Sequence, residues 1–124
     1  MKVGDVMTRE LLTVEAATPL QTAAERMCDR KVGAILVVNG DAISGILTER
    51  DVLRAVAQGE VEGTIVASWM TRDPETVTVE DQARAAATTM IRGGFRHLPV
   101  LEDGRPVGIV SIRDLMRLVV DEQG

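Results

Sequence analysis

Two segments of the sequence set a hydroxyl and a carboxylate at the same spacing: Gly45-Ile46-Leu47-Thr48-Glu49-Arg50-Asp51 and Gly108-Ile109-Val110-Ser111-Ile112-Arg113-Asp114. In each, an apolar strand-like run enters a helix, so Thr48 or Ser111 falls at the N-cap and the Asp three residues later. One chemistry for this pattern is internal, a capping box in which the hydroxyl takes the N3 amide and the acid takes the N-cap amide. The other is recognition. A standard box favours the longer Glu or Gln at N3, whereas both copies carry Asp. A helix start also points N–H groups and the positive end of its dipole beyond the strand, which suits a phosphate. A carboxylate one turn along can accept two hydrogen bonds from vicinal ribose hydroxyls. Phosphate at the cap and ribose at the acid describe a mononucleotide, and the spacing alone leaves both chemistries open.

Other reactive side chains are sparse. His97 is the only histidine and Cys28 the only cysteine, so neither an intramolecular disulfide nor a zinc-type Cys/His cluster can form. No nucleophile elbow, Walker loop or metal-ligand cluster is present, and no enzyme, resident cofactor or metal site is expected. Cys28 is expected to pack as a small hydrophobe on a helical apolar stripe. Arg9 and Arg72, each after a Met-Thr pair, are candidates for solvated surface or for a bound phosphate.

The elements that must position these groups come in two copies. An offset of 63 residues lays Met7-Thr8-Arg9 on Met70-Thr71-Arg72, Ala23-Ala24 on Ala86-Ala87, Gly45-Ile46 on Gly108-Ile109 and Arg50-Asp51 on Arg113-Asp114. In the first copy an apolar stretch, Leu11 to Val14, precedes Thr18 as N-cap with Pro19 at the first helical position. Leu20, Ala23, Ala24, Met27 and Cys28 then make one apolar helical stripe. In the second copy Asp81 is the expected cap, the stripe is Ala83, Ala86, Ala87, Met90 and Ile91, and Gly93-Gly94 stops the helix. A hairpin follows in each: Ala34 to Val38 with Ile43 to Leu47 about Asn39-Gly40-Asp41, then Leu98 to Leu101 with Pro106 to Val110 about Glu102 to Arg105. Final helices span Glu49 to Ala57 and Ile112 to Val120, with 58–64 as connector. The expected fold class is α/β: two pseudo-symmetric β-α-β-β-α repeats, 1–61 and 64–124, packed through their sheets. A unit of about 60 residues is marginal alone, so clefts related by the pseudo-symmetry are expected between the halves. Met7, Met27, Met70 and Met90 read as core filler, and Trp69, standing where the first copy has Val6, as a contact between repeats or at a dimer face.

Composition narrows the partners. The chain has 124 residues with 45% hydrophobic and 27% charged side chains, the balance of a folded domain. A net charge of −5, a pI near 4.9 and only 2% aromatic residues give neither a basic stripe for phosphates nor a stacking platform for bases. Nucleic acid is not an expected partner. No apolar run reaches the roughly 18 residues of a membrane span, and the N-terminus lacks a signal-peptide pattern, so a cytoplasmic protein without membrane attachment is expected.

From Val3 to Val120 the chain resembles a tandem pair of cystathionine β-synthase (CBS) domains, a Bateman module. The likeness is carried by the paired Gly-x-x-Thr/Ser-x-x-Asp segments, the Met-Thr-Arg openings and the strand entry Phe95-Arg96-His97-Leu98-Pro99-Val100. It implies a regulatory module binding AMP, ADP or ATP, or in some members S-adenosylmethionine. It also implies a homodimer; since the sequence shows no effector domain, the output is expected to pass to a separate effector protein or to a change of conformation or oligomeric state. By the same resemblance one site joins Thr48 and Asp51 to Arg96 and His97, with Glu75 and Thr76 beside the adenine. The other joins Ser111 and Asp114 to Gly33 and Ala34, with Leu12 and Thr13 beside the adenine. Thr48 or Ser111 would face phosphate, Asp51 or Asp114 ribose, and Arg96 and His97 would be counter-charges that the second site lacks unless Lys31 supplies one. Unequal affinities are expected. The alternative from another class is a structural dimerisation scaffold without useful nucleotide affinity.

Overall fold

Valine- and isoleucine-rich runs broken by short polar turns pair into two hairpins, and the small-residue stripes between them pack as helices. The computed structural model describes residues 1–123, with side chains through Arg117; Gly124, the last residue of the second expected repeat, lies outside the described residues. Along the chain run α1 (Val3–Val6), β1 (Thr13–Val14), α2 (Leu20–Arg30), β2 (Ala34–Asn39), β3 (Ala42–Thr48) and α3 (Glu49–Ala57). A 3-10 turn (Val66–Ser68), β4 (Thr71–Arg72), β5 (Val77–Thr78), α4 (Ala83–Gly93), β6 (His97–Glu102), β7 (Arg105–Ser111) and α5 (Ile112–Gln123) follow. The structure is mixed α/β, two repeats each made of a sheet with helices. Among the described residues, no helix is long and apolar enough to cross a membrane.

The chain divides into two compact units, Leu12–Pro74 and Met1–Leu11 together with Glu75–Gly124. In the first-repeat unit the sheet order is β1-β2-β3-β4, with β1 parallel to β2 and the other neighbours antiparallel. Its core gathers Leu20, Ala23 and Met27 of α2, Ile35, Val37 and Leu47 of the hairpin, Ala55 of α3, and Val66. In the second-repeat unit the order is β5-β6-β7, and the core is Val3, Val77, Val79, Ala83, Ala86, Met90, Leu98, Val100, Val110 and Leu115. Both hairpins carry an irregularity at equivalent places, between Val37 and Val38 and between Val100 and Leu101. At the tip of the second hairpin Asp103 and Gly104 both take positive φ, 52° and 78°, the combination a two-residue hairpin turn requires.

The openings of the repeats do something that local patterns do not reveal. Neither Thr18 nor Asp81 caps a helix. Pro19 and Gln82, both extended at ψ 138°, are the N-caps, and neither makes a side-chain capping bond. Backbone carbonyls from distant segments take the first amides instead: Leu20 N–H donates to the Thr64 carbonyl at 2.8 Å, and Ala83 N–H to the Met1 carbonyl at 2.8 Å. The Asp81 carboxylate accepts the Thr78 amide at 2.8 Å. So the opening of the second repeat caps α2, and the opening of the first repeat caps α4.

The same exchange continues along each opening. Thr71 and Arg72 pair with Ile46 and Gly45, while Thr8 exchanges two backbone hydrogen bonds with Ile109, at 2.9 and 3.1 Å. This crossing explains the glycine that begins each hydroxyl-carboxylate segment. A Cβ on Gly45 would stand 2.6 Å from the Thr71 carbonyl oxygen, and one on Gly108 would meet the Thr8 carbonyl oxygen and Met7 more closely still. The first opening is further pinned by fully buried Val3 and by Lys2, whose ammonium lies 2.6 Å from Glu80. Glu80, through that hydrogen bond and then its charge, raises the Lys2 pKa.

Two side chains depart from expectation. Cys28 is exposed, because the buried stripe of α2 is limited to Leu20, Ala23 and Met27 and Cys28 lies at its edge. Trp69 packs against the core of the first-repeat unit. Met27 and Met90 are buried, and Met7 and Met70 lie partly buried against the cores, as filler should.

Candidate functional site

The two strand-to-helix junctions form the same structure twice. Thr48 ends β3 and is the N-cap of α3 with extended backbone. Its amide donates to Asp51 Oδ2 at 2.9 Å, its hydroxyl reaches the same oxygen at 3.1 Å, and the Asp51 amide donates back to Thr48 Oγ1 at 3.4 Å. In the second copy the Ser111 amide donates to Asp114 Oδ2 at 2.8 Å and the Asp114 amide to Ser111 Oγ at 3.1 Å. The capping box therefore forms in both repeats, with Asp in the place of the longer acid.

The boxes do not exhaust the carboxylates. Asp51 and Asp114 are the buried charged side chains among the described residues, 5% and 7% exposed. Each commits Oδ2 to its own helix start. Their Oδ1 atoms take no part in the boxes; Arg54 and Arg117 stand 3.8 Å from them, each on a largely exposed side chain. A buried carboxylate with one oxygen held and the other open is a fixed acceptor.

The amides are mostly spoken for. Glu49 N–H donates to the Gly33 carbonyl at 3.0 Å and Ile112 N–H to the Arg96 carbonyl at 2.9 Å. Within the first turns, the Arg50 and Arg113 amides have no acceptor among the described residues. Any anion here would rely on one backbone donor plus side chains, a narrower phosphate seat than an uncapped helix start.

Around each junction the structure collects six of the candidate residues. In the first-repeat unit Ala34 pairs with Thr48, Gly33 bonds the start of α3, and Leu12 and Thr13 adjoin Leu36 on β2. All lie, with Asp51, at the end of the sheet where β1 and β2 begin and β3 finishes. In the second-repeat unit His97 pairs with Ser111, Arg96 bonds the start of α5, and Glu75 and Thr76 lead into β5, with Asp114 completing the set. His97 is half-buried and Arg96 exposed.

Sequence reasoning missed the exchanged openings, although the constant offset between Met7-Thr8-Arg9 and Met70-Thr71-Arg72 was the signal for them. Arg9 and Arg72 are exposed, and Arg72 Nη2 donates to the Ala67 carbonyl at 3.4 Å.

A model of the CBS domain matches the chain twice, over residues 3–58 and 66–121. The chain belongs to the CBS-domain family. An uncharacterized 17.7 kDa protein of Acidianus ambivalens is 34% identical over 122 residues, 97% of this chain and 74% of the relative. MJ1225 of Methanocaldococcus jannaschii is 32% identical over 118 residues, 94% of this chain but 42% of that protein, so the chain spans under half of this second relative. Solved CBS structures match nearly end to end. A CBS-domain protein from Burkholderia ambifaria MC40-6 superimposes with a TM-score of 0.94 at 32% identity, covering 100% of this chain and 97% of the other. PAE2072 from Pyrobaculum aerophilum, complexed with AMP, gives 0.89 at 27% identity over 98% and 97%. The CBS domain pair of MJ0100, in complex with 5′-methylthioadenosine and S-adenosyl-L-methionine, gives 0.89 at 25% identity over 96% and 99%.

Proposed function

We propose that this CBS pair is a regulatory, non-enzymatic sensor of an adenosine nucleotide, AMP, ADP or ATP, acting as a homodimer on a separate effector protein. The observation that carries the reading is the open Oδ1 of a buried carboxylate, present in both repeats at 3.8 Å from a largely exposed arginine. Vicinal ribose hydroxyls are the donors that such an acceptor fits. PAE2072 with AMP and MJ0100 with methylthioadenosine and S-adenosylmethionine support the adenosyl class.

In this proposal Thr48 and Asp51 serve one ligand with Arg96, His97, Glu75 and Thr76, and Ser111 and Asp114 serve a second with Gly33, Ala34, Leu12 and Thr13. The first ligand carries the phosphate, because a hydrogen bond to a charged group contributes about 1.5–3 kcal/mol against about 1 for a neutral one. Ligand occupancy shifts the packing equilibrium only by its differential affinity for the two arrangements.

Titration calorimetry with Asp51→Asn and Asp114→Asn tests it, since Asn still accepts the cap amide while losing the charge. The expected result is AMP binding by the wild type, weakened about tenfold or more by Asp51→Asn, with Asp114→Asn affecting a separate and weaker event. Equal losses at both sites would overturn the asymmetry, and nucleotide turnover by the pure protein would overturn the non-enzymatic reading. A scaffold is the second reading, favoured by the boxes giving each hydroxyl and one oxygen of each carboxylate a partner without any ligand. It predicts no thermal shift with AMP, ADP, ATP or S-adenosylmethionine, where a ligand at about 100 times its Kd should stabilise by about 2.7 kcal/mol.

A further inference from the structure

Each opening sits in a seat made by residues of the other repeat, and the two seats match position by position. In the second-repeat unit the Met1 carbonyl accepts the Ala83 amide, the Val3 and Gly4 amides donate to the Asp81 and Val79 carbonyls at 2.8 and 3.0 Å, and Thr8 exchanges two backbone bonds with Ile109. In the first-repeat unit the Thr64 carbonyl accepts the Leu20 amide, and the Val66 and Ala67 amides donate to the Thr18 and Ala16 carbonyls at 2.8 and 2.9 Å. Thr71 and Arg72 complete that seat by pairing with Ile46 and Gly45. Val3 and Val66 are fully buried, and Val6 with Met7 in one seat, and Trp69 with Met70 in the other, pack against the core. The segment both seats hold is Val-x-x-x-Met-Thr, Val3 to Thr8 and Val66 to Thr71.

This is recognition by strand addition: main-chain bonds supply the affinity, and pockets for chosen side chains supply the specificity. Such contacts read a short segment and are indifferent to which chain it belongs to. The covalent tie between the repeats adds little to them. The connector, residues 58–63, is exposed apart from half-buried Val61, its Gly59 and Gly63 take φ of 70° and 72°, and the amides of 58–60 donate back to the end of α3. Exposed loops of this kind are the preferred places for a nick or an insertion.

We propose that each seat is a peptide-recognition site that takes its opening equally from a separate polypeptide, so that the two repeats on two chains assemble by exchanging openings. The partner is a second polypeptide carrying the Val-x-x-x-Met-Thr segment, another copy of one of this chain's own repeats. A cut in the connector leaves residues 1–62 and 63–124 joined at two seats, with Met1 to Leu11 held in the second-repeat unit and Thr64 to Arg72 in the first. A cut after Pro74 leaves them joined at one, because residues 12–74 then carry their own opening. Two linked attachments exceed one by about 10²–10⁴ in apparent affinity where both can engage at once, as both do in the uncut chain. Each seat is complete within one unit, and the pairing is independent of any nucleotide.

The full chain, with a site for a sequence-specific protease inserted between Glu62 and Gly63 or after Pro74, is folded first and cut afterwards. Size-exclusion chromatography over a dilution series in urea then reads when the fragments part. In urea just sufficient to half-separate the chain cut after Pro74, the connector-cut chain should need at least about hundredfold further dilution to reach the same point. Purified apart in urea, fragments 1–62 and 63–124 should rejoin on its removal and regain the circular dichroism of the uncut chain. Equal separation of the two cut chains overturns the two-seat joint, and fragments that fail to rejoin overturn the supply of openings from a separate chain. Either failure leaves the nucleotide reading standing.

Discussion

The two folded units are built on one plan, and they differ in where they obtain their openings. The first-repeat unit takes its opening, Thr64 to Arg72, from the middle of the chain, contiguous with the helix before it. The second-repeat unit takes Met1 to Leu11, separated from the rest of that unit by the whole of the first. The bonds are equivalent in each: a carbonyl to the first helical amide and a strand laid over a glycine. Each unit thus takes in the opening of the other repeat, and the shared glycines Gly45 and Gly108 leave room for it, while Gly33-Ala34 against Arg96-His97 shows divergence where ligand chemistry is expected.

Removing residues 1–11 is the largest way to break this equivalence. It strips fully buried Val3 from a core, worth roughly 1.5–3 kcal/mol, and deletes the acceptors of Ala83 and Ile109 at about 1 kcal/mol each. The expected loss is about 4 kcal/mol or more by urea denaturation, a large part of a typical domain's 5–15 kcal/mol. The comparison sharpens in the pattern of hydrogen exchange: protection should fall across residues 75–117, far along the chain from the deletion, and be held across 13–57. A loss confined to the neighbouring residues 12–30 would contradict the exchange of openings.

A smaller break touches one atom per unit. Gly45→Ala and Gly108→Ala each push a methyl into the backbone of the crossing strand, and overpacking of this kind costs roughly 1–3 kcal/mol. Gly108→Ala should be the worse of the two in thermal unfolding, because its nearest neighbours, the Thr8 carbonyl and Met7, stand closer than the Thr71 carbonyl stands to Gly45. Equal midpoints for the two variants would mean that the crossing strand yields.

Much of this architecture was legible because its causes are local. Glu49 to Ala57 forms α3 over the span that periodicity marks, and both hairpins lie within a residue or two of their apolar runs, since turn chemistry and alternation act between near neighbours. The N-caps were not legible. Thr18 and Asp81 carry the right side chains, but the acceptors that win, the Thr64 and Met1 carbonyls, are backbone atoms more than 40 residues away, and a backbone carbonyl has no sequence signature. At the junctions the spacing of Thr48 and Asp51 fitted both a box and a ligand contact, and the structure shows why: the two oxygens of one carboxylate can take one task each.

The smallest test concerns how the two equivalent helices stop. α2 ends with Lys31 in the left-handed region at φ 55°, where α4 ends with Gly94 at φ 71°. Glycine enters that region without a Cβ penalty, whereas a side chain is strained there by about 1 kcal/mol. Lys31 keeps the backbone bonds of the cap, its amide donating to the Cys28 carbonyl at 3.2 Å and the Val32 amide to the Met27 carbonyl at 3.1 Å, so the strain is local and nothing else need move. Lys31→Gly should therefore raise stability by about 0.5–1 kcal/mol, and Gly94→Lys should lower it by a similar amount, both read from chemical denaturation. If AMP affinity of the Asp114-dependent event also falls in Lys31→Gly, the strained lysine is the cation that the second site otherwise lacks, and the difference between the two helix ends is a ligand contact kept at the expense of backbone ease.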